Sequence, residues 1–450
     1  MNRALNYLIV VAAGLWMSLP ASMWAQTAVN RSDSASQSAA APPSNFQHSN
    51  EEPRLNGAVV SLQELLSVAL AQNPAIKSAA ERFLAQRARV PQARSLPDPT
   101  VSGTWMGNIT PFSVQRGDPS SYRGLTVAED FPYPGKLKLR GQIADRDAEA
   151  ARWDHEQTRR QVVADVKEAY YSYFYYAKAI EITNKDKDLL QKLERIAEAL
   201  YRVGKGIQQD VLRAQVEVSR IDQKLTILHQ EERTARVRLN TLLDRDPESP
   251  LPPPAAFTTA DFHYTLDELY SMAQRNDPGL ERDRRLIEGN TYAVNLAQKA
   301  YNPDFRVGYT YQQRPMMPDM HGFMVGINIP VFYRSKQRQG VIEATHDLLS
   351  SRRELESRLT TVNFVIKQQY LAATASRDLS NLYSKAIVPQ ASLALESSMS
   401  AYQVGKLDFL SLLENFINVL DYEVGYYQEL SNFQIALARL EPLVGIELTR

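Results

Sequence analysis

The stretches -Phe305-Arg306-Val307-Gly308-Tyr309-Thr310-Tyr311-Gln312- and -Phe323-Met324-Val325-Gly326-Ile327-Asn328-Ile329- alternate residue by residue. In an extended chain Phe305, Val307, Tyr309, Tyr311, Phe323, Val325, Ile327 and Ile329 share one apolar, aromatic face. Arg306, Gly308, Thr310, Gln312, Met324, Gly326 and Asn328 share a small or polar one. Period two is the strand signature. Over roughly ten residues, this pairing of faces fits a β-strand between lipid and a lumen. A half-buried soluble hairpin alternates in the same way, so the surroundings must decide. A fainter copy lies upstream, where Val101, Gly103 and Trp105 alternate with Ser102 and Thr104, and Leu125 and Val127 with Thr126 and Ala128. Strands are predicted at 99–107, 122–131, 304–312 and 322–331. Four strands cannot close a barrel, which needs about eight or more. An open edge facing lipid is not tolerated. Several chains must then share one barrel.

The two hairpins sit at matching places in a duplicated chain. Ser61-Leu62-Gln63-Glu64-Leu65 leads to Asn73-Pro74, and Thr265-Leu266-Asp267-Glu268-Leu269 leads to Asp277-Pro278. Pro97-Asp98 is answered by Pro303-Asp304, Phe131-Pro132 by Ile329-Pro330, and Tyr201-Arg202-Val203-Gly204-Lys205 by Tyr402-Gln403-Val404-Gly405-Lys406. Ordered matches at a nearly constant offset mark an internal repeat. The expected organisation is a first repeat over 58–250, a proline-rich linker over 251–257 and a second repeat over 258–450.

After each predicted hairpin the period changes to 3.6. Leu189, Leu193, Ile196 and Leu200 have coiled-coil spacing, as do Leu355, Leu359, Val362 and Ile366. Helical hairpins are expected over about 136–244 and 337–442, reversing at the two Val-Gly-Lys turns. Helices of this length need a second layer to bury their apolar faces. The aromatic run Tyr170-Tyr171-Ser172-Tyr173-Phe174-Tyr175-Tyr176 is expected to pack those layers.

Residues 1–25 read as a secretory signal, with Arg3, an apolar Leu5–Leu19 stretch and a Pro20–Ala25 cleavage region. Residues 26–57 are rich in Ser, Ala, Asn and Pro and read as disordered. The 450 residues carry 51 basic and 51 acidic side chains, so charge gives no reason to expect nucleic acid. The absence of cysteine excludes disulfides, zinc ribbons and a thiol nucleophile. Neither Gly-Lys pair completes a phosphate loop, and six histidines show no paired ligand spacing. No enzyme and no cofactor is expected.

Together, the signal segment, the duplicated helix–hairpin–long-helix plan, the paired Tyr-x-Val-Gly-Lys turns and -Phe131-Pro132-Tyr133-Pro134-Gly135-Lys136-Leu137- resemble the TolC-like outer-membrane efflux factors. The resemblance spans about 58–450 and extends to the heavy-metal branch that serves RND-type pumps. It implies a mainly α chain with a small transmembrane β portion. Three copies would form a twelve-stranded β-barrel in the outer membrane of a Gram-negative-type cell, continued by a periplasmic α-barrel. The function implied is a passive exit channel working with a periplasmic adaptor and an inner-membrane pump. A type I secretion channel, a stand-alone porin and a periplasmic coiled-coil scaffold are the alternatives.

By the same resemblance, Val203, Gly204, Lys205, Val404, Gly405 and Lys406 form adaptor-docking tips. Aligned on Gly405, the acidic gate positions fall at Ser411 and Glu414, of which only Glu414 is acidic; Asp408 is the candidate substitute. A Tyr402–Asp210 hydrogen bond is expected to lock the closed tip. Met316, Met317, Met320 and His321 cluster near the second strand loop and are weak candidates for a soft metal ion.

Overall fold

The computed structural model describes residues 57–108, 113–257 and 261–449. The signal segment, and all but the last residue of the 26–57 stretch, lie outside the described residues. The first half runs α1 (Leu62–Gln72), α2 (Pro74–Arg94), β1 (Thr100–Met106), β2 (Tyr122–Phe131), α3 (Lys136–Arg202) and α4 (Gln208–Leu242). The second runs α5 (Leu266–Asn276), α6 (Pro278–Lys299), β3 (Asp304–Gln313), β4 (Met320–Asn328), α7 (Gln337–Leu382), α8 (Val388–Gln403) and α9 (Phe409–Val444).

The duplication extends to the helix caps. Ser61 with Glu64, and Thr265 with Glu268, form reciprocal capping boxes at α1 and α5. Asn73 and Asp277 then cap α2 and α6, with Pro74 and Pro278 in the first turn, where a missing N–H costs nothing.

At 67 residues, α3 is about 100 Å long. Its counterpart is not continuous. A π-helical turn, Tyr383–Ile387, separates α7 from α8 within the helical hairpin expected over 337–442. Pro389 offers no N–H to the carbonyl four residues back, and its ring crowds that carbonyl. A wider turn relieves both conflicts without ending the helix.

The strands form one antiparallel sheet in the order β1-β2-β3-β4. The helices α2, α3, α6 and α7 pack in the same sequence beneath it. Apolar packing is divided into three clusters along the helices. One joins α3, α4, α8 and α9 around Leu190, Leu412 and Phe416. A second surrounds Tyr170, Tyr171 and Leu239, and a third joins α5, α7 and α9 around Leu269 and Leu437.

The aromatic run packs helical layers and also holds the linker. Tyr170 donates to the Ala255 carbonyl at 3.0 Å, and Phe174 meets Phe257 at 4.6 Å between ring centroids. Lys167, one turn away and 1% exposed, bonds Glu441 of α9 at 2.7 Å. Glu441 also accepts the N–H groups of Leu448 and Thr449, each at 2.8 Å, and so folds the C-terminal residues back against the helices.

Candidate functional site

The sheet register sorts side chains by face. Val101 stands opposite Val127, Val127 opposite Tyr309, and Tyr309 opposite Phe323. With Leu125, Val307, Val325 and Ile327 they make one continuous apolar face, and it is uncovered: Phe323 is 84% and Val325 73% exposed. Arg123 and Glu129 interrupt it toward its two ends. A soluble monomer rarely leaves so extensive an apolar patch bare. The opposite face carries Ser102, Thr104, Gly124, Thr126, Gly308, Thr310, Gly322 and Gly326. There Thr126 and Thr310 share a 2.9 Å hydrogen bond, and Arg306 grips Asp130 through two bonds of 2.6 and 2.8 Å. Lipid on one side and water on the other satisfies both faces. Among the described residues, no helix is long and apolar enough to cross a membrane.

At the other end of the long helices, the two Val-Gly-Lys turns have matching geometry. Gly204 and Gly405 have φ of +71° and +73°, a region costly for any residue with a Cβ. The N–H of Lys205 reaches back to Leu200 at 2.8 Å, and that of Lys406 to Ala401 at 2.9 Å. Each is the six-to-one bond of a Schellman cap, so a helix-ending motif also makes the reversal. Val203 and Val404 project outward, 67% and 68% exposed. Both tips line one groove of about 610 Å³ with Asp210, Tyr402 and Asp408, so the two reversals sit side by side.

The gate residues are arranged differently from the sequence expectation. The Tyr402–Asp210 hydrogen bond is not formed in this structure. The buried Tyr402 hydroxyl has no partner among the described residues, and its ring leans on Phe409. Asp210 is near enough that, after burial, its charge helps raise the Tyr402 pKa. Asp408, the candidate substitute for Ser411, is exposed at the start of α9. Its carboxylate caps α9, accepting both the Ser411 N–H and the Ser411 hydroxyl at 2.9 Å. Those bonds hold its pKa below the usual carboxylate range. Glu414 is exposed one turn further along. Higher in the same helical seam, burial and the charge of Glu423 push Asp186 up to about 6.

The four metal candidates do not converge. Met316 and Met317 lie in the loop, whereas Met320 and His321 are neighbours on β4 and face opposite sides of it. His321 Nδ1 is already within 2.6 Å of the Tyr309 hydroxyl. Sequence reading missed the junction where the sheet meets the helices. Lys136, buried at the start of α3, bonds Asp304 Oδ1 at 2.7 Å and the Asn302 carbonyl at 3.0 Å. The Tyr133 N–H donates to the same Asp304 oxygen at 2.7 Å. The repeated Pro-Asp pair was a visible signal for this site, though its lysine partner was not.

Comparison with known proteins agrees with this architecture. The family model described as outer membrane efflux protein matches residues 65–245. The cobalt-zinc-cadmium resistance protein CzcC of Cupriavidus metallidurans is 20% identical over 411 residues, covering 87% of this chain and 92% of CzcC. The outer membrane protein VceC of Vibrio cholerae superposes with a TM-score of 0.72 at 17% identity, covering 85% of this chain and 96% of VceC. The CmeC outer membrane channel of Campylobacter jejuni gives 0.73 at 15% identity, covering 86% of each chain.

Proposed function

We infer that this chain, whose residues 65–245 match the outer membrane efflux protein family and whose fold is that of the solved channels, is a passive duct carrying solutes from the periplasm across the outer membrane. The bare apolar face of the four-stranded sheet carries the reading, because only lipid covers such a face without a further protein. The chain acts as a homotrimer of two repeats, 58–250 and 258–450, with twelve strands in the membrane and the long helices in the periplasm. Exposed Leu349, Phe364 and Leu371 on α7, and Leu212, Val216 and Ile227 on α4, suit burial between subunits. An inner-membrane pump supplies the energy, and the duct itself catalyses nothing.

The tips dock a periplasmic adaptor. Two outward valines beside glycines and lysines offer a small apolar contact that an opposing helical turn can cover. A single cysteine at Lys406 in this cysteine-free chain, carrying a photo-crosslinker, should capture an adaptor in intact cells. Capture of sister subunits alone would sink the docking role.

Glu414 forms the gate charge, three copies making an acidic ring that favours cations. Cations are the cargo this ring suits, in keeping with a relative named for cobalt, zinc and cadmium resistance. Glu414→Gln should reduce cation-over-anion selectivity in planar-bilayer recordings. Unchanged reversal potentials would remove Glu414 from the pore.

A further inference from the structure

We propose that neighbouring copies of this chain are fastened by an ion pair between Lys336 of one subunit and Asp98 of the next, repeating between chains the Lys136–Asp304 junction seen within one. The proposal rests on the oligomeric channel reading and specifies its subunit contact.

The internal junction joins the two repeats. Lys136 follows the second strand of the first repeat, and Asp304 opens the first strand of the second. Both partners have counterparts. Tyr133-Pro134-Gly135-Lys136 is matched by Tyr333-Arg334-Ser335-Lys336, also at the start of a long helix. Asn302-Pro303-Asp304 is matched by Leu96-Pro97-Asp98, also just before a strand. Lys136 uses the carboxylate of Asp304 and the backbone carbonyl of Asn302. Asp98 offers the same carboxylate and Leu96 the same carbonyl, whatever its side chain.

The counterparts cannot meet within one protomer. Asp98 precedes β1 and Lys336 follows β4, and these are the two outer strands. Three strand spacings put them at least ~14 Å apart. Both side chains are exposed, and neither has an ion-pair partner among the described residues. Lys336 lines a groove of about 650 Å³ with Lys136 and Asp304, but that carboxylate is already held by Lys136. Among the described residues the outer edges of β1 and β4 also lack partners, which lipid does not permit. When β4 of one copy pairs with β1 of the next, Lys336 arrives beside Asp98 as Lys136 arrives beside Asp304. Such a head-to-tail contact repeats until the ring closes.

The test uses the full-length protein in outer membranes. Asp98→Cys with Lys336→Cys, treated with a thiol crosslinker shorter than the width of the sheet, should give a closed three-chain species. Neither single variant should give it. Separately, Asp98→Lys and Lys336→Asp should each lose the SDS-resistant oligomer, and the exchanged double variant should regain most of it. An SDS-resistant oligomer that forms without any crosslink, or losses that merely add in the double variant, would overturn the junction while leaving the channel reading standing. A crosslinked ring of another size would uphold the junction and overturn the trimer.

Discussion

Lys167→Met should destabilise the folded chain by about 3 kcal/mol, toward the lower end of the range for stripping one partner from a buried ion pair. Methionine nearly fills the volume of the lysine stem, so little packing is lost. What remains is Glu441, buried and without its cation. Its Oε1 still accepts from the N–H groups of Leu448 and Thr449 and from the Thr449 hydroxyl at 2.7 Å, which holds the cost below that of an isolated charge. Glu447, the second acid near Lys167, is mostly exposed, and its pairing contributes less than about 1 kcal/mol. Glu447→Ala should therefore be nearly silent. Adding Glu441→Gln to Lys167→Met removes the stranded charge and should recover part of the loss. Thermal denaturation of the purified protein in detergent measures all three variants. Equal effects from Lys167→Met and Glu447→Ala would show that the buried pair is not the anchor.

The difference between what was legible and what was not follows the range of each interaction. The period-two faces of β3 and β4, the glycines of the two reversals and the caps at Ser61, Thr265, Asn73 and Asp277 depend on near neighbours, so they can be read along the chain. Pairs such as Lys167 with Glu441, or Arg306 with Asp130, lie far apart in sequence and exist only once the fold and the strand register are set. The break at Tyr383–Ile387 is intermediate. Pro389 was visible, but whether a proline ends a helix or widens one turn depends on the helix packed against it. Here that helix is α9, whose Gly425 lies directly beneath the Tyr383 ring.

The candidate site divides along the same line. Asp408-Phe409-Leu410-Ser411 is a capping sequence, so local chemistry alone gives the carboxylate of Asp408 its partners. The methionine and histidine cluster was close in sequence, yet successive strand residues face opposite ways, so proximity along the chain did not become proximity in space.

Val325→Arg should abolish accumulation of the assembled protein in the outer membrane, whereas Met324→Arg next to it should be tolerated. Val325 lies midway along β4 on the apolar face, opposite Val307 and between Phe323 and Ile327. An arginine on the lipid face near the bilayer midplane costs about 2–4 kcal/mol. A ring of three subunits incurs that cost once per copy, about 6–12 kcal/mol in all, which is comparable with the whole margin of an ordinary fold. Met324 faces the other way, reaching over Gly308 on the polar side, where water in a lumen can solvate a charge. There the substitution should alter conductance rather than assembly. The contrast discriminates because water alone on the apolar face would make Val325→Arg harmless, its side chain being largely exposed in the single chain. A protein cover would be disrupted only where that partner is present. Heat-modifiable trimer in outer-membrane fractions is the measurement for assembly, and single-channel recording the measurement for the lumen. Normal assembly of Val325→Arg would remove lipid from the apolar face, and with it the main support for the duct.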